Sequence, residues 1–277
     1  MFTTTPSFDS ATRQAEAAAG AAGVRIETVE SPERLLAVSG LFAEVWGTDP
    51  GHEPFAGDVL RSLAHAGGAV HAAFGPAGLL GASAAVFGPP RKGDLYSLIA
   101  GATRISQGVG YALKLAQRAW ALEQGARTIT WTFDPLVRRN AWFNLVKLGA
   151  VAGEYTVDFY GPMDDGFNAG DETDRLTAVW QLDTVGSAEA PTAARPEPDP
   201  LPGPDGQPFT ARDGRSLWCR IPEDITAIRR QRPEIALAWR TAVRDVLADA
   251  LADGYTATSM TRDGWYHLTR SDREDTP

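Results

Sequence analysis

The chain has 277 residues, a formal net charge of -9 at pH 7 and a single cysteine. Binding to a nucleic-acid backbone needs a positive face, so this acidic balance argues against a nucleic-acid partner. No run of about eighteen apolar residues is present to cross a membrane. The four histidines, His52, His65, His71 and His267, also lack metal-ligand spacing. We therefore expect a cytoplasmic protein, a monomer or homodimer, that acts on a small molecule without a metal.

Composition divides the chain into a larger and a smaller part. Residues 1–23, rich in Thr, Ser and Ala, are predicted to be a disordered tail, and residues 24–183 alternate strands with helices. Seven prolines fall within residues 184–214, where they remove backbone donors and predict a linker. Residues 215–271 are predicted to form a small α/β unit that docks on the main body, followed by a tail at residues 272–277.

Apolar periodicity and turn residues predict the elements of an α/β (α+β) body. The predicted strands cover residues 24–29, 69–74, 79–87, 95–102, 128–133, 150–160 and 176–182. The predicted helices cover residues 32–46, the stretch from a glycine-rich turn to Gln124, and residues 139–148. After the linker, the pattern predicts a strand over residues 216–221, a helix over 233–252 and a hairpin of 255–260 with 265–269.

A glycine-rich turn leads directly into the middle helix of the body. Gly108 and Gly110 carry no side chain, so a pyrophosphate could approach the amides of residues 108–112. The dipole of the helix that follows would add partial positive charge there. The alternative is an ordinary tight connection between a strand and a helix. No Lys-Ser or Lys-Thr pair completes a P-loop, and no third glycine completes a dinucleotide fingerprint.

The pattern Gln107-x-x-Gly110-x-Ala112 resembles the phosphate loop of the GNAT superfamily of acyl-CoA-dependent N-acyltransferases. The resemblance implies the GNAT fold, a mixed and mostly antiparallel sheet with a central splayed pair of parallel strands flanked by helices. It also implies that the loop amides hold the pyrophosphate of coenzyme A. The residues that the resemblance implies at the cofactor are Gln107, Gly108, Val109, Gly110, Tyr111 and Ala112.

Further stretches resemble one branch of predicted GNAT enzymes. They include residues 112–118, 129–136, 139–145, 158–161 and 173–176, and the resemblance covers residues 24–182. Some members of this branch are N-succinyltransferases that act on D-amino acids. The resemblance therefore implies acetyl-CoA or succinyl-CoA as co-substrate and the amine of a small molecule, such as an amino acid, as acceptor.

In the GNAT fold, the strand before the loop leaves backbone groups unpaired for the pantetheine arm of the cofactor. Here those groups belong to residues 98–102, including Ala100 and Ala102. The resemblance places Asn140 and Phe143, in the helix after the second parallel strand, against the same arm. Asn140 could equally serve as a helix cap.

The catalytic side chains depart from the family pattern. Leu145 stands where many GNAT enzymes carry an acidic Tyr, and Tyr96-Ser97-Leu98 stands where the related branch has a His-x-His pair. The candidates for proton transfer that remain are Tyr96, Asp158, Tyr160 and water. Tyr96 could instead be a packing residue, and Asp158 and Tyr160 could belong to an ordinary strand edge.

Ser97 and Arg175 are candidates for binding the substrate. A guanidinium can clamp a carboxylate with two hydrogen bonds, although Arg175 could instead pair with Asp174 or Glu172. Two further hypotheses stay open: an acyltransferase of a specialised biosynthetic pathway with a changed acceptor, and a CoA-binding protein without catalysis.

Overall fold

The computed structural model describes residues 8–49, 51–89, 93–103, 107–163, 170–183, 195–214 and 216–270. The chain divides into two compact units. The first comprises Met1–Trp131 with Gln181–Thr184, and the second comprises Thr132–Trp180 with Val185–Pro277.

The first unit is a sheet with helices on both faces. Its helices are α1 (Phe8–Ala21), α2 (Pro32–Trp46), α3 (Gly57–His65) and α4 (Val109–Glu123). Its strands are β1 (Arg25–Thr28), β2 (Ala69–Gly75), β3 (Gly78–Phe87), β4 (Asp94–Ala102) and β5 (Thr128–Phe133), in that spatial order. Neighbouring strands are antiparallel except β4 and β5, which are parallel. The predicted class, a mixed and mostly antiparallel α/β sheet with a parallel pair, is confirmed.

Alternate residues of β2 and β3 divide the core of this unit between the two sheet faces. On one face, Val70 and Ala72 pack with the buried side of α2, which includes Phe42. On the other face, Ala73 packs with Val109 and Leu113 of α4. The helix that carries the glycine-rich turn is therefore fixed to the sheet by its first turn.

The second unit is antiparallel at every strand pair that the structure describes. Its helices are α5 (Arg138–Trp142), continued by a π-helical turn (Phe143–Lys147), α6 (Ile225–Gln231) and α7 (Pro233–Ala252). Its strands are β6 (Val151–Thr156), β7 (Arg175–Gln181), β8 (Thr210–Asp213), β9 (Ser216–Arg220), β10 (Tyr255–Met260) and β11 (Trp265–Arg270). Their spatial order is β7-β6-β10-β11-β9-β8.

The tail predicted at residues 1–23 is helical where the structure describes it, so that prediction is wrong for α1. This helix packs on α4 and buries Ala11 and Ala15. Gln14 Oε1 also accepts a hydrogen bond of 3.2 Å from Arg118 Nη1. The alanines that suggested a low-complexity tail instead favour helix, because Ala has the highest helix propensity. Residues 1–7 lie outside the described residues.

The predicted linker also contains regular structure. Strand β8 pairs with β9, and isolated bridges join Pro198 to Ala211 and Pro202 to Pro208. These bridges lie beside an edge strand, where a missing proline donor is tolerated. The predicted C-terminal unit continues the strands before it, since β10 pairs with β6 at Ala257 and Ala152. Residues 184–194 of the linker and the tail at 272–277 lie outside the described residues.

A buried network of four charged side chains ties the two C-terminal helices of the second unit to its N-terminal part. Arg240 Nη1 lies 3.0 Å from Asp134 Oδ1, and its Nη2 lies 2.9 Å from Asp171 Oδ2. Arg229 Nη2 lies 2.6 Å from Asp134 Oδ2. Burial raises the pKa of Asp134, but the charges and hydrogen bonds of Arg240 and Arg229 outweigh burial and hold that pKa well below its usual range.

We expect Arg240→Met to lower the free energy of unfolding by about 3–5 kcal/mol, because it leaves Arg229 as the only guanidinium for the two buried carboxylates Asp134 and Asp171. Arg230→Met is the matched control, since Arg230 is exposed on α6, and should change stability by less than about 0.5 kcal/mol. Denaturant unfolding at pH 7 measures both. Equal stability of the two variants would contradict the assigned importance of the network.

The same variant has an expected pH dependence. A folded-state pKa below the unfolded value of about 3.9 means that the Asp134 contribution is complete above that pH and is lost as the pH falls. The stability difference between the wild type and Arg240→Met should therefore narrow below about pH 4.

Candidate functional site

The first turn of α4 presents backbone donors that no side chain caps. Gly108 is the N-cap residue in a left-handed conformation with φ 83°, and no cap side chain bonds to the helix. The first turn also carries no acidic residue. The first amides of a helix have no partner within it, so this end can bind an anion. The structure thus places the predicted phosphate loop at a helix N-terminus.

Within the loop, Gly110 faces open space, whereas the neighbouring Val109 packs against the sheet. A Cβ built on Gly110 would meet no atom within 4 Å, so this face is open to a ligand. Val109 is fully buried, and the Cβ of any residue replacing Gly81 on β3 would lie 2.9 Å from Val109 Cγ1. Gly81 therefore allows the loop to sit directly on the sheet. Gln107 is exposed, Tyr111 is half-buried and Ala112 is buried.

The two parallel strands are paired along only part of their length. The described register joins Asp94, Leu95 and Tyr96 to Thr128, Ile129 and Thr130, respectively. On its other edge, β4 continues to pair with β3 as far as Ala102, with a register shift that leaves Leu98 as an extra residue between Ser97 and Ile99. We call the point beyond Tyr96 and Thr130 the fork. It matches the splay that the resemblance predicted, and Ala100 and Ala102 lie on β4 beyond it.

The sequence analysis missed a buried lysine at the fork. Lys114 of α4 donates a hydrogen bond of 2.9 Å from Nζ to Ser97 Oγ and one of 3.4 Å to Gln117 Oε1. Its Nζ also lies 3.9 Å from the ring centroid of Trp131. Burial lowers the pKa of Lys114 to about 7. The sequence carries little signal for this lysine, because Lys114 shares its helix face with Gln117 and Arg118 and a polar face usually lies in solvent.

Asp158 and Tyr160 do not lie on a strand, so that prediction is wrong. β6 ends at Thr156, and Asp158 has a left-handed backbone with φ 46°. Asp158 Oδ1 accepts hydrogen bonds from both the N–H and the hydroxyl of Thr173, each at 3.1 Å. Its own N–H donates to Asp174 Oδ1 at 3.1 Å. Asp158 thus holds a turn against the chain that precedes β7.

Tyr160 and Arg175 meet in the same region. The Tyr160 hydroxyl lies 3.2 Å from Thr132 Oγ1, and the Arg175 guanidinium lies 5.1 Å from the Tyr160 ring centroid. The salt bridges considered for Arg175 do not form with either predicted partner. Asp174 and Glu172 pair with Arg244 instead, while Arg175 Nη1 donates to the Asp174 carbonyl oxygen.

The helix after β5 changes from α-helical to π-helical at Phe143, and this change separates Asn140 from Phe143. α5 has Val137 as its N-cap, so the alternative role of Asn140 as a cap is wrong. Asn140 is exposed, whereas Phe143 begins the π-helical turn and is half-buried. Leu145 is 3% exposed and packs in the core.

The structure therefore gathers the predicted residues into groups. In the first unit, α4 begins at the phosphate loop, and β4 carries Tyr96 and Ser97 at the fork. In the second unit, Asp158, Tyr160 and Arg175 surround the segment that leads into β7. Within the described residues, no helix is long and apolar enough to cross a membrane, and no cluster of His, Cys, Asp or Glu could hold a metal ion.

No family model matches the chain, and no curated protein matches it. Among solved structures, the chain is similar to an N-acetyltransferase from Staphylococcus aureus, at 13% identity over 57% of this chain and 98% of the other, with a TM-score of 0.45. It is also similar to an IAA acetyltransferase from Bacillus cereus, at 15% identity over 57% and 99%, with a TM-score of 0.41. A Bacillus subtilis acetyltransferase in complex with CoA aligns at 19% identity over 57% and 98%, with a TM-score of 0.42. Identities and TM-scores this low carry no conclusion about function.

We expect Asp158→Ala to lower the free energy of unfolding by about 1–3 kcal/mol, since it removes the acceptor for Thr173 and keeps the left-handed backbone. Asp158→Asn is the control, because Asn retains the acceptor oxygen and tolerates this conformation. Thermal unfolding compares the two variants. Equal loss of stability in both would contradict the hydrogen-bonding role of Asp158.

Proposed function

We propose that this protein is an acyl-CoA-dependent N-acyltransferase of the GNAT type, which transfers an acetyl or succinyl group to the amine of a small molecule. The observation that carries the proposal is the uncapped N-terminus of α4, with an open glycine face, next to a parallel strand pair that parts at Tyr96 and Thr130. The Gln107-x-x-Gly110-x-Ala112 pattern occupies this loop.

The loop amides of residues 108–112 would hold the pyrophosphate of the acyl-CoA. Gly110 allows the phosphate oxygens to come close, and the helix dipole adds favourable electrostatic energy. Beyond the fork, the backbone of residues 98–102 would bind the pantetheine arm as an added strand. In the second unit, Asn140 and Phe143 are the residues for which the resemblance implies cofactor contacts. The proposed acceptor is the amine of a small molecule such as an amino acid. Ser97 in the first unit and Arg175 in the second unit are the proposed substrate-binding residues, and a guanidinium can clamp a carboxylate with two hydrogen bonds.

Acyl transfer forms a bond between the amine nitrogen and the carbonyl carbon while the carbon–sulfur bond breaks. The nitrogen loses a proton, and the departing thiolate gains one. A backbone N–H of the bulged segment around Leu98 would polarise the carbonyl oxygen. Tyr96, Asp158 and Tyr160 are the proposed proton-transfer residues, assisted by water. Because Asp158 already accepts two hydrogen bonds, we rank it below the two tyrosines.

The departures from the family pattern favour a second candidate, a CoA-binding protein that has lost catalysis. Leu145 is buried where many GNAT enzymes carry their acid, and Tyr96-Ser97-Leu98 replaces a histidine pair. A changed acceptor in a biosynthetic pathway fits the same observation. Release of CoA thiol separates catalysis from binding alone.

The proposed setting is the cytoplasm, with the chain acting as a monomer or homodimer.

We expect Gly110→Val to weaken CoA binding by about tenfold or more, a loss of roughly 1.4 kcal/mol, because its side chain would fill the open face. Gly40→Val is the matched control, since Gly40 is also helical and its Cβ would meet no atom within 4 Å. Both exchanges should cost under about 1 kcal/mol of stability.

Titration calorimetry with CoA measures the affinity of both variants. Thiol release from acetyl-CoA and succinyl-CoA, with D- and L-amino acids as acceptors, follows catalysis. Unchanged CoA affinity in a folded Gly110→Val protein would remove the cofactor from this loop. CoA binding without thiol release over the whole panel would favour the second candidate.

A further inference from the structure

Within the first unit, the side chain of Lys114 lies at the fork. Lys114 reaches from α4 to Ser97 on β4 and to Trp131 on β5. Tyr96 and Thr130 are the last described partners of the parallel pair, so Ser97 and Trp131 are the first residue of each strand beyond it. The amine of Lys114 therefore lies between the two strands where they begin to part.

The surroundings of Lys114 suit both protonation states of its amine. A charged ammonium has three N–H donors, and three neighbours receive them: Ser97 Oγ, Gln117 Oε1 and the face of the Trp131 ring. A neutral amine keeps a lone pair that can accept from the Ser97 hydroxyl over the same 2.9 Å. Within the described residues, no carboxylate forms an ion pair with Lys114 to hold it charged.

The other ionisable groups near Lys114 do not account for its lowered pKa, which comes from burial. The titratable or charged side chains on α4 and on the elements packed against it are Asp9, Arg13, Glu16, Arg25, Glu27, His71, Asp94, Tyr96, Tyr111, Arg118 and Glu123. Of these, His71 and Arg118 are buried. Burial lowers the pKa of His71 to about 4, so this ring is neutral at pH 7. Arg118 is engaged with Gln14 and with the Leu182 carbonyl oxygen.

We propose that Lys114 is a positioning residue for acyl transfer, which holds and returns the transferred proton through the hydroxyl of Ser97. This assignment rests on the proposed acyl transfer, and it gives Ser97 and Lys114 the proton transfers that were first assigned to Tyr96, Asp158 and Tyr160. It gives the chain a proton-handling group in the place where the fork opens, although Leu145 is apolar and the strand lacks histidine.

The proton balance of this step closes without another reactant. As the amine nitrogen bonds to the carbonyl carbon, it gives a proton to Ser97 Oγ while the Ser97 hydroxyl proton passes to neutral Lys114. The carbon–sulfur bond then breaks, and the thiolate takes a proton from Ser97 as Lys114 returns one to it. The products are an amide and the CoA thiol, and both side chains regain their starting states.

The protonation of Lys114 can be measured directly in the wild-type protein. The chain contains three lysines, Lys92, Lys114 and Lys147, so carbon-13 labelling of the lysine side chains gives few NMR signals. The Lys114 signal, assigned with Lys114→Met, should titrate near pH 7, as burial lowers its pKa to about 7. A freely solvated lysine has a pKa of about 10. CoA should shift the Lys114 signal, whereas adenosine 3′,5′-bisphosphate, which lacks the pantetheine arm, should not.

Kinetic variants test the role in transfer. Lys114→Met should lower kcat by about a hundredfold, the usual effect of losing one proton-transfer group. It should also remove the rise of kcat around pH 7, with CoA affinity within about twofold of the wild type. Ser97→Ala should alter the same limb of the pH profile while the lysine remains. Lys147→Met is the matched control and should leave kcat and its pH profile unchanged.

The outcomes separate this proposal from the proposed function. A wild-type protein that fails to bind CoA would overturn both. Normal CoA binding together with an unchanged kcat and pH profile in Lys114→Met and Ser97→Ala would overturn the role of Lys114 alone. If Lys114→Met fails to fold, Ser97→Ala and the wild-type NMR titration still decide. A Lys114 signal that titrates near about 10, or that ignores CoA, would also contradict the proposal.

Discussion

The first turn of α4 lies directly against the sheet, and the arrangement of the candidate site depends on this contact. Val109 is fully buried against Ala73 and Leu113, and Gly81 leaves the space that its side chain needs. With the side chain of Val109 directed into the core, the backbone around it is available to a ligand, and the open face of Gly110 lies beside it. The same contact of α4 with the sheet places Lys114, farther along the helix, against Ser97 and Trp131. One packing contact thus positions both a potential anion site and a potential proton-holding group.

The second unit depends on charge compensation rather than on apolar packing alone. Asp134 follows β5 directly, and Arg229 and Arg240 come from α6 and α7. Removing these ions from water is costly, and the cost is offset only while every partner is in place. The unit therefore includes the C-terminal helices as an integral part. Asp158, Tyr160 and Arg175 lie in this unit near the chain segment that contributes Asp171 and Asp174 to the ionic contacts.

Local sequence signals predicted most of the elements. The glycine-rich turn and the helix Pro233–Ala252 agree with the structure, because each depends on periodicity and on turn residues close in sequence. The parallel pair also agrees, but it was implied by the resemblance. The helix α1 was missed because an alanine-rich stretch resembles a low-complexity tail until a partner helix covers it. Asp158 was misplaced because a left-handed residue that ends a strand leaves no periodic signal. Arg175 meets the Tyr160 ring, and Lys114 meets Ser97 and Trp131, through the packing of separate elements, so sequence spacing could not assign these contacts.

The most direct test of the central claim is a map of backbone amide NMR shifts in the wild-type protein on addition of acetyl-CoA. The account predicts the largest shifts at the amides of residues 108–112, from the pyrophosphate, and at residues 98–102, from the pantetheine arm. Adenosine 3′,5′-bisphosphate should leave the second group unchanged, since it has no pantetheine arm. Acetyl-CoA binding that shifts neither group, or no binding at all, would contradict the account.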